Sequence, residues 1–181
     1  MRALGALVLI LVGLMTSSAS AHQQQRRPVI IVTDAGYFSD DSVAILALLE
    51  SGQFDVRGIV TTAGNVSAEQ SHAALTRLLV ETGHADVTLV EGPSMHAHAE
   101  RWRYYVEHER PTWRRRAYVG AFADLTRAPA RQSNQREQGA AAFLVEQARA
   151  LEGGLTIILL GPATVLAQAL SLDPAFGAHI A

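Results

Sequence analysis

Residues 29–41 read V-I-I-V-T-D-A-G-Y-F-S-D-D, and this stretch decides the fold. It opens with a continuous apolar run at 29–32, which predicts a strand that is buried on both faces. Such strands are typical of parallel sheets that are covered by helices on both sides. Three aspartates, Asp34, Asp40 and Asp41, then lie on the loop that leads to a helix. The stretch therefore predicts an α/β domain with its chemistry beside the first strand.

The segments that follow repeat the alternation of strand and helix. Further apolar runs predict strands at 56–62, 87–90 and 155–160. Helical periodicity predicts helices at 42–51, 68–82 and 138–151, with a final helix opening at Pro162. The predicted fold class is α/β, with an open, mostly parallel, Rossmann-like sheet flanked by helices. Binding sites in such sheets lie at the carboxyl ends of the strands, so the loops after them carry the candidate residues.

Composition excludes several kinds of chemistry. The chain of 181 residues has no Cys, so thiol catalysis and cysteine-ligated metals are excluded within it. It also has no Lys, which excludes a Schiff base and a Walker-type phosphate loop. The formal charge of −2 and the isoelectric point near 6.4 give no general attraction to nucleic acid. We therefore expect a small-molecule partner and no nucleic acid.

The N-terminus has the pattern of an export signal. Arg2 precedes an apolar run at 3–15, and Ala19-Ser20-Ala21 is a sequence that signal peptidases accept. The sequence thus predicts a signal peptide at 1–21, a polar tether at 22–28 and one domain at 29–181. The mature protein would be periplasmic or secreted, and it would have no membrane anchor after cleavage.

The acidic loop has two interpretations from its residues alone. Asp40 or Asp41 could cap the helix that begins near Ser42, because Asp is a favoured N-cap residue. Alternatively, the carboxylates could converge on a hard cation such as Ca²⁺, which prefers oxygen ligands. Asn65 also has two interpretations. Its amide could bind sugar hydroxyls, or the residue could form a turn with left-handed backbone.

Four motifs in order resemble one protein family. They are D-A-G…D-D, G-I-V-T-T-A-G-N-V, V-E-G-P and L-L-G-P-A-T-V-L-A-Q-A-L-S-L-D-P. Together they resemble the N-terminal half of the inosine-uridine preferring nucleoside hydrolases, from about residue 29 to residue 174, with a break across 92–136. The resemblance implies hydrolysis of the N-glycosidic bond of a ribonucleoside by a Ca²⁺-bound water. The resemblance leaves open whether the protein forms a homo-oligomer.

The resemblance also implies roles for particular residues. Asp34 would be a metal ligand and the catalytic base, and Asp41 would be a second ligand. The backbone carbonyl of Leu160 would complete the protein's contribution to the Ca²⁺ site. Asp40 and Asn65 would bind the ribose.

Three differences from the family pattern bear on activity. Val32 and Ala35 stand where the family has Asp and Pro, and two extra residues precede Asp40. Asp34 and Asp41 can therefore converge only if the loop bulges outward between them. The family's domains are much longer and bring another Asp and a His, so we expect this chain to be an incomplete domain that is inactive alone. The alternative is a non-catalytic relative that binds ribose or a nucleoside.

Residues 92–136 show no sustained helical or strand period. The segment contains His96 and His98, which could be a pair of metal ligands, and a mixture of Arg with aromatic residues. Such a mixture could bind a polyanion, or it could form a solvated lid over the site.

Overall fold

The computed structural model describes residues 26–93 and 139–181, together with Glu100, Tyr104, Glu107 and His108. The predicted signal peptide, His96 and His98 lie outside the described residues, as does nearly all of the Arg-rich aromatic stretch. The strands are β1 (Arg27–Thr33), β2 (Phe54–Thr61), β3 (Leu89–Val90) and β4 (Thr156–Leu159). The helices are α1 (Asp40–Glu50), α2 (Ala68–Glu81), α3 (Ala140–Ala150) and α4 (Thr164–Leu172), followed by a 3₁₀ turn at Phe176–His179.

The four strands form one parallel sheet in the order β3-β2-β1-β4. β1 is central, pairing with β2 from Arg27 to Thr33 and with β4 from Val29 to Val32. This arrangement confirms the predicted α/β fold with a parallel sheet. The ends of β1, β2 and β4 lie side by side, because parallel neighbours finish at the same edge.

Successive side chains of β1 point to opposite faces of the sheet and pack into two separate hydrophobic cores. Ile31 packs with α1 and α2 on one face, in a cluster that includes Ile45 and Leu75. Ile30 and Val32 pack on the other face with α3 and α4, and both are fully buried. Because the sheet is covered on both faces by helices, β1 has no polar face, which is why its sequence is an unbroken apolar run.

Most element boundaries differ from the sequence prediction by one or two residues. β1 begins at Arg27, so it takes the last two residues of the predicted tether. α1 begins at Asp40 rather than near Ser42, because Ser39 is its N-cap. α4 begins at Thr164 with Ala163 as N-cap, so Pro162 precedes the helix instead of opening it. Among residues 26–93 and 139–181, no helix has the length and hydropathy of a membrane span.

Candidate active site

The carboxyl end of β1 carries the centre of the site. Asp34 follows the last residue of β1, and it is 5% exposed. Asp41 lies in the first turn of α1. The two carboxyl groups lie close enough that each one shifts the pKa of the other. The structure therefore brings together the two aspartates that the sequence predicted as metal ligands.

The extra residues of the loop turn away from these carboxylates. The Tyr37 hydroxyl donates a hydrogen bond to the Glu81 carboxylate on α2. The Arg77 guanidinium lies over the Tyr37 ring, 4.7 Å from its centroid. Phe38 is 68% exposed and meets the Tyr37 ring edge to face. The loop thus bulges outward, as the convergence of Asp34 and Asp41 requires.

Ser39 caps α1, so the interpretation of Asp40 or Asp41 as the N-cap is wrong. The Ser39 hydroxyl accepts a hydrogen bond from the Ser42 backbone N–H at 3.2 Å. A short polar side chain at this position already satisfies the orphan N–H of the first turn. The Asp41 carboxylate is therefore available to the site. Asp40 is exposed, and its Oδ1 accepts the Asp41 backbone N–H at 3.1 Å.

The turn after β2 closes the site from a second side. The backbone N–H of Asn65 donates to Asp34 Oδ2 at 2.6 Å. A Cβ on Gly64 would lie 1.9 Å from the same oxygen, so only glycine leaves room for this carboxylate. Neither residue has a positive φ, so the interpretation as a left-handed turn is wrong. The glycine serves close approach, and the Asn65 side chain is exposed. Its contact with ribose stays a prediction.

The segment after β4 closes a third side. Leu160 follows β4, and its N–H donates to the Val32 carbonyl at 2.8 Å. A Cβ on Gly161 would lie 2.8 Å from the Asp34 backbone nitrogen, so the chain passes directly against Asp34 here. Leu160 and Gly161 therefore lie against the backbone at the end of β1, next to Asp34. That the Leu160 carbonyl is a metal ligand stays a prediction.

Burial makes both carboxylates reluctant to ionise. Desolvation raises the pKa of Asp34 to about 6; the Asn65 N–H opposes this rise and the nearby Asp41 charge adds to it. Desolvation also raises the pKa of Asp41, against a hydrogen bond from the Thr33 hydroxyl and with a contribution from the Asp40 charge. Each effect follows from removing a negative charge from water or placing a like charge beside it.

The donor set fits a hard divalent cation. Two carboxyl groups face each other under desolvation, and a cation between them would offset both the burial and their repulsion. Within the described ranges, no cluster of three or more His, Asp or Glu side chains could hold a metal. In the described part of the chain, backbone carbonyls and water are the further ligands available to a cation, and Ca²⁺ accepts both.

Sequence reasoning missed Thr33. Its side chain is fully buried and contacts Asp41, but a Thr at the end of an apolar run is typical of any strand. Its position immediately before Asp34 was the one available signal.

Comparison with known proteins gives a consistent set of matches. The family model described as inosine-uridine preferring nucleoside hydrolase matches residues 29–181. "Probable uridine nucleosidase 2" of Arabidopsis thaliana is 31% identical over 161 residues, covering 84% of this chain and 44% of that protein. "Uridine nucleosidase 1" of the same plant is 30% identical, covering 83% of this chain and 42% of that protein. The chain thus spans about half the length of the curated relatives it matches.

Solved structures give the same fold. The plant nucleoside hydrolase PpNRh1 has a TM-score of 0.64 at 29% identity, covering 85% of this chain and 45% of that one. The purine-preferring ribonucleoside hydrolase from Gardnerella vaginalis also has a TM-score of 0.64, at 22% identity, covering 84% of this chain and 46% of that one. The first of these structures supports common descent as well as a common fold, and the second supports the fold.

Proposed function

The chain belongs to the family of inosine-uridine preferring nucleoside hydrolases, and on that premise we propose that it hydrolyses the N-glycosidic bond of ribonucleosides with the aid of Ca²⁺. One observation carries the proposal: the carboxyl groups of Asp34 and Asp41 converge beside β1 although their loop departs from the family pattern. The names of its relatives make uridine the first substrate to test.

Calcium would be held by Asp34 and Asp41, together with the Leu160 carbonyl and water. Both carboxylates are half-buried or buried, and oxygen is the donor that this cation prefers. When bound, Ca²⁺ would orient the attacking water and lower its pKa. The cation would also stabilise the ionised form of the carboxylates that burial opposes.

Asp34 is the group that would take the proton of the attacking water. The Asn65 N–H fixes Oδ2 of this carboxylate, so its orientation is set before substrate binds. As the water oxygen bonds to the anomeric carbon, the bond to the nucleobase breaks and the base leaves with the electron pair.

The remaining residues would bind and stabilise the sugar. Asp40 is exposed at the start of α1, and the Asn65 side chain is exposed after β2. Their oxygens and amide match ribose hydroxyl groups. The transition state is oxocarbenium-like, so the negative charge of Asp34, Asp40 and Asp41 favours it over the neutral substrate.

The test is ribose release from uridine and inosine, measured with CaCl₂ and with EDTA in a protein that joins these residues to the rest of a family-length domain, because this chain spans about half the length of its relatives and is expected to be inactive alone. We expect release that needs Ca²⁺ and is lost in Asp34→Asn. Asp55→Asn is the matched control, because Asp55 is an exposed carboxylate on β2 that pairs with Arg57 at 3.3 Å. An Asp34→Asn variant as active as Asp55→Asn would contradict the proposal. Uridine binding with Ca²⁺ but without ribose release would favour the non-catalytic alternative.

We also propose that the protein is exported, with removal of residues 1–21. The support is the order of Arg2, the apolar run and Ala19-Ser20-Ala21. N-terminal sequencing of the protein from its own cells is expected to begin at His22. A mature protein that still begins at Met1 would contradict export by this route.

A further inference from the structure

Thr33 contacts both halves of the acidic loop through one oxygen atom. Its Oγ1 donates to Asp41 Oδ2 at 2.7 Å. The same Oγ1 accepts the backbone N–H of Ala35 at 3.1 Å. The second contact spans two residues, so Asp34 lies at the centre of a turn that the Thr33 side chain closes.

The hydroxyl of Thr33 has little freedom to point elsewhere. Its proton is donated to Asp41 and a lone pair receives the Ala35 N–H, so the two contacts use different sides of the oxygen. Thr33 is fully buried, and it is paired with Thr61 where β1 and β2 both end. A β-branched side chain is also stiff about χ1. The oxygen is therefore a fixed point between the backbone around Asp34 and the carboxylate of Asp41.

Fixing this point matters because the loop between the two aspartates is long. Six residues lie between Asp34 and Asp41, and the middle of the loop turns outward to α2. The backbone path therefore does not by itself set the distance between the carboxylates. Thr33 bridges that gap from the end of β1, a strand that is paired on both sides.

We propose that Thr33 is a positioning residue that sets the spacing of Asp34 and Asp41 for a divalent cation. The inference rests on the proposed function, since it gives that cation site its geometry. Thr33 acts through the two aspartates and has no contact with the sugar in this scheme. Groups that orient metal ligands in this way commonly change metal affinity by about 10 to 100-fold when they are removed.

The experiment measures Ca²⁺ affinity by calorimetry in the full chain and in its variants. Thr33→Val keeps the shape but removes the hydroxyl, and we expect its Kd for Ca²⁺ to rise about tenfold or more. Thr33→Ser keeps the hydroxyl and is expected to bind Ca²⁺ nearly as tightly as the parent. In ribose release, the loss in Thr33→Val is expected to shrink as Ca²⁺ is raised to saturation.

Thr76→Val is the matched control for burial and hydrogen bonding. Thr76 is 8% exposed, and its hydroxyl donates to the His72 carbonyl at 2.8 Å within α2, away from the aspartates. We expect parental Ca²⁺ affinity in this variant, with any effect confined to the Tm. A Ca²⁺ affinity in Thr76→Val as weak as in Thr33→Val would show a general packing effect and overturn the inference.

Other outcomes separate this inference from the proposed function. Parental affinity in Thr33→Val, or a Thr33→Ser variant as weak as Thr33→Val, overturns the role of Thr33 and leaves the hydrolase proposal standing. If Thr33→Val does not fold, Thr33→Ala takes its place with the same expectation. A parent chain that binds no Ca²⁺ overturns both. A parent that binds Ca²⁺ and releases no ribose contradicts hydrolysis alone, because the affinities still test Thr33.

Discussion

Asp34 and Asp173 are almost equally buried, at 5% and 7% exposure, yet their pKa values move in opposite directions. Burial raises the pKa of Asp34 to about 6. The Ala175 N–H lowers the pKa of Asp173, and the Arg149 guanidinium lowers it further against the effect of desolvation. Surface exposure alone therefore does not distinguish the two carboxylates: desolvation has the largest effect on the pKa of Asp34, whereas at Asp173 it is outweighed by the Ala175 N–H and Arg149. The difference lies in the partners that each one has.

The charge of Asp173 is balanced by a nearby guanidinium, whereas Asp34 lies next to another carboxyl group. Oδ1 of Asp173 accepts the Ala175 N–H at 3.0 Å, and Oδ2 contacts Arg149 at 2.8 and 3.0 Å. Asp34 accepts the Asn65 N–H but faces a second carboxyl group, that of Asp41. A buried charge without a counter-charge is costly, and such sites cluster where ligands bind. Asp173 is therefore expected to stabilise the fold, and the absence of a cationic partner for Asp34 among the described residues supports its proposed role in the site.

The largest effect is expected when Asp34 loses its charge. In Asp34→Asn, we expect Ca²⁺ binding to be lost and kcat/KM to fall by about 10³-fold or more, because both the ligand and the base are removed. The Tm in EDTA should stay level or rise by a few degrees, since the buried like-charge contact is gone. Ribose assays and calorimetric melting check the two halves. A Tm several degrees below that of the parent would contradict this prediction, because it would mean that Asp34 stabilises the fold as Asp173 does.

Gly64→Ala attacks Asp34 without changing its charge. The added Cβ would lie 1.9 Å from Oδ2, so the carboxylate must move. We expect kcat/KM to fall about 100-fold, as a shift of about 1 Å at reacting groups is enough for such a loss. Gly177→Ala is the control, because nothing lies within 4 Å of its added Cβ. Equal activity in the two variants would show that the space beside Asp34 is not needed.

Asp173→Asn is expected to affect stability and to leave chemistry nearly intact. Its pKa lies below the ordinary value of 3.8, so the ionised group stabilises the fold above that pH. This stability is lost as pH falls through the lower, folded-state pKa. We expect a Tm a few degrees below the parent at pH 7, a difference that shrinks toward pH 3, and unchanged kcat/KM. A Tm difference between variant and parent that grows as the pH falls would contradict a lowered pKa for Asp173.

The smallest effect is expected from the outward part of the loop. Tyr37→Leu removes the ring that lies under Arg77 and the hydroxyl that bonds Glu81. Both contacts are at the surface, where such interactions are worth about 1 kcal/mol or less. We therefore expect Ca²⁺ affinity to fall by no more than about fivefold, with Tyr37→Phe between the variant and the parent. A loss as large as that of Gly64→Ala would mean that the loop, rather than the sheet edge, positions Asp34.

The fold and the location of the site could be predicted from sequence because both follow from patterns along the chain. The apolar run of β1 indicated a strand covered on both faces, and Asp34 directly after it lay at the carboxyl edge. The convergence of Asp41 could be stated only as a condition on the loop. Side-chain contacts of Tyr37 with α2 meet that condition, and these join residues far apart in sequence.

Other features needed three-dimensional contacts. Ser39 displaced the aspartates as helix cap, although all three residues are good caps by type. Gly64 is needed for space beside Asp34 rather than for a turn, a distinction that only the distance to Oδ2 reveals. The pairing of Asp173 with Arg149 joins α3 to the end of α4 and has no signature in either segment.

The main conclusion is that Asp34 and Asp41 bind one cation between them. It can be tested by a calorimetric titration of the EDTA-treated protein with CaCl₂. We expect the parent to bind Ca²⁺ one-to-one. This binding should be abolished in both Asp34→Asn and Asp41→Asn and retained in Asp173→Asn. Binding that persists in Asp34→Asn and Asp41→Asn, or no binding by the parent, would contradict it.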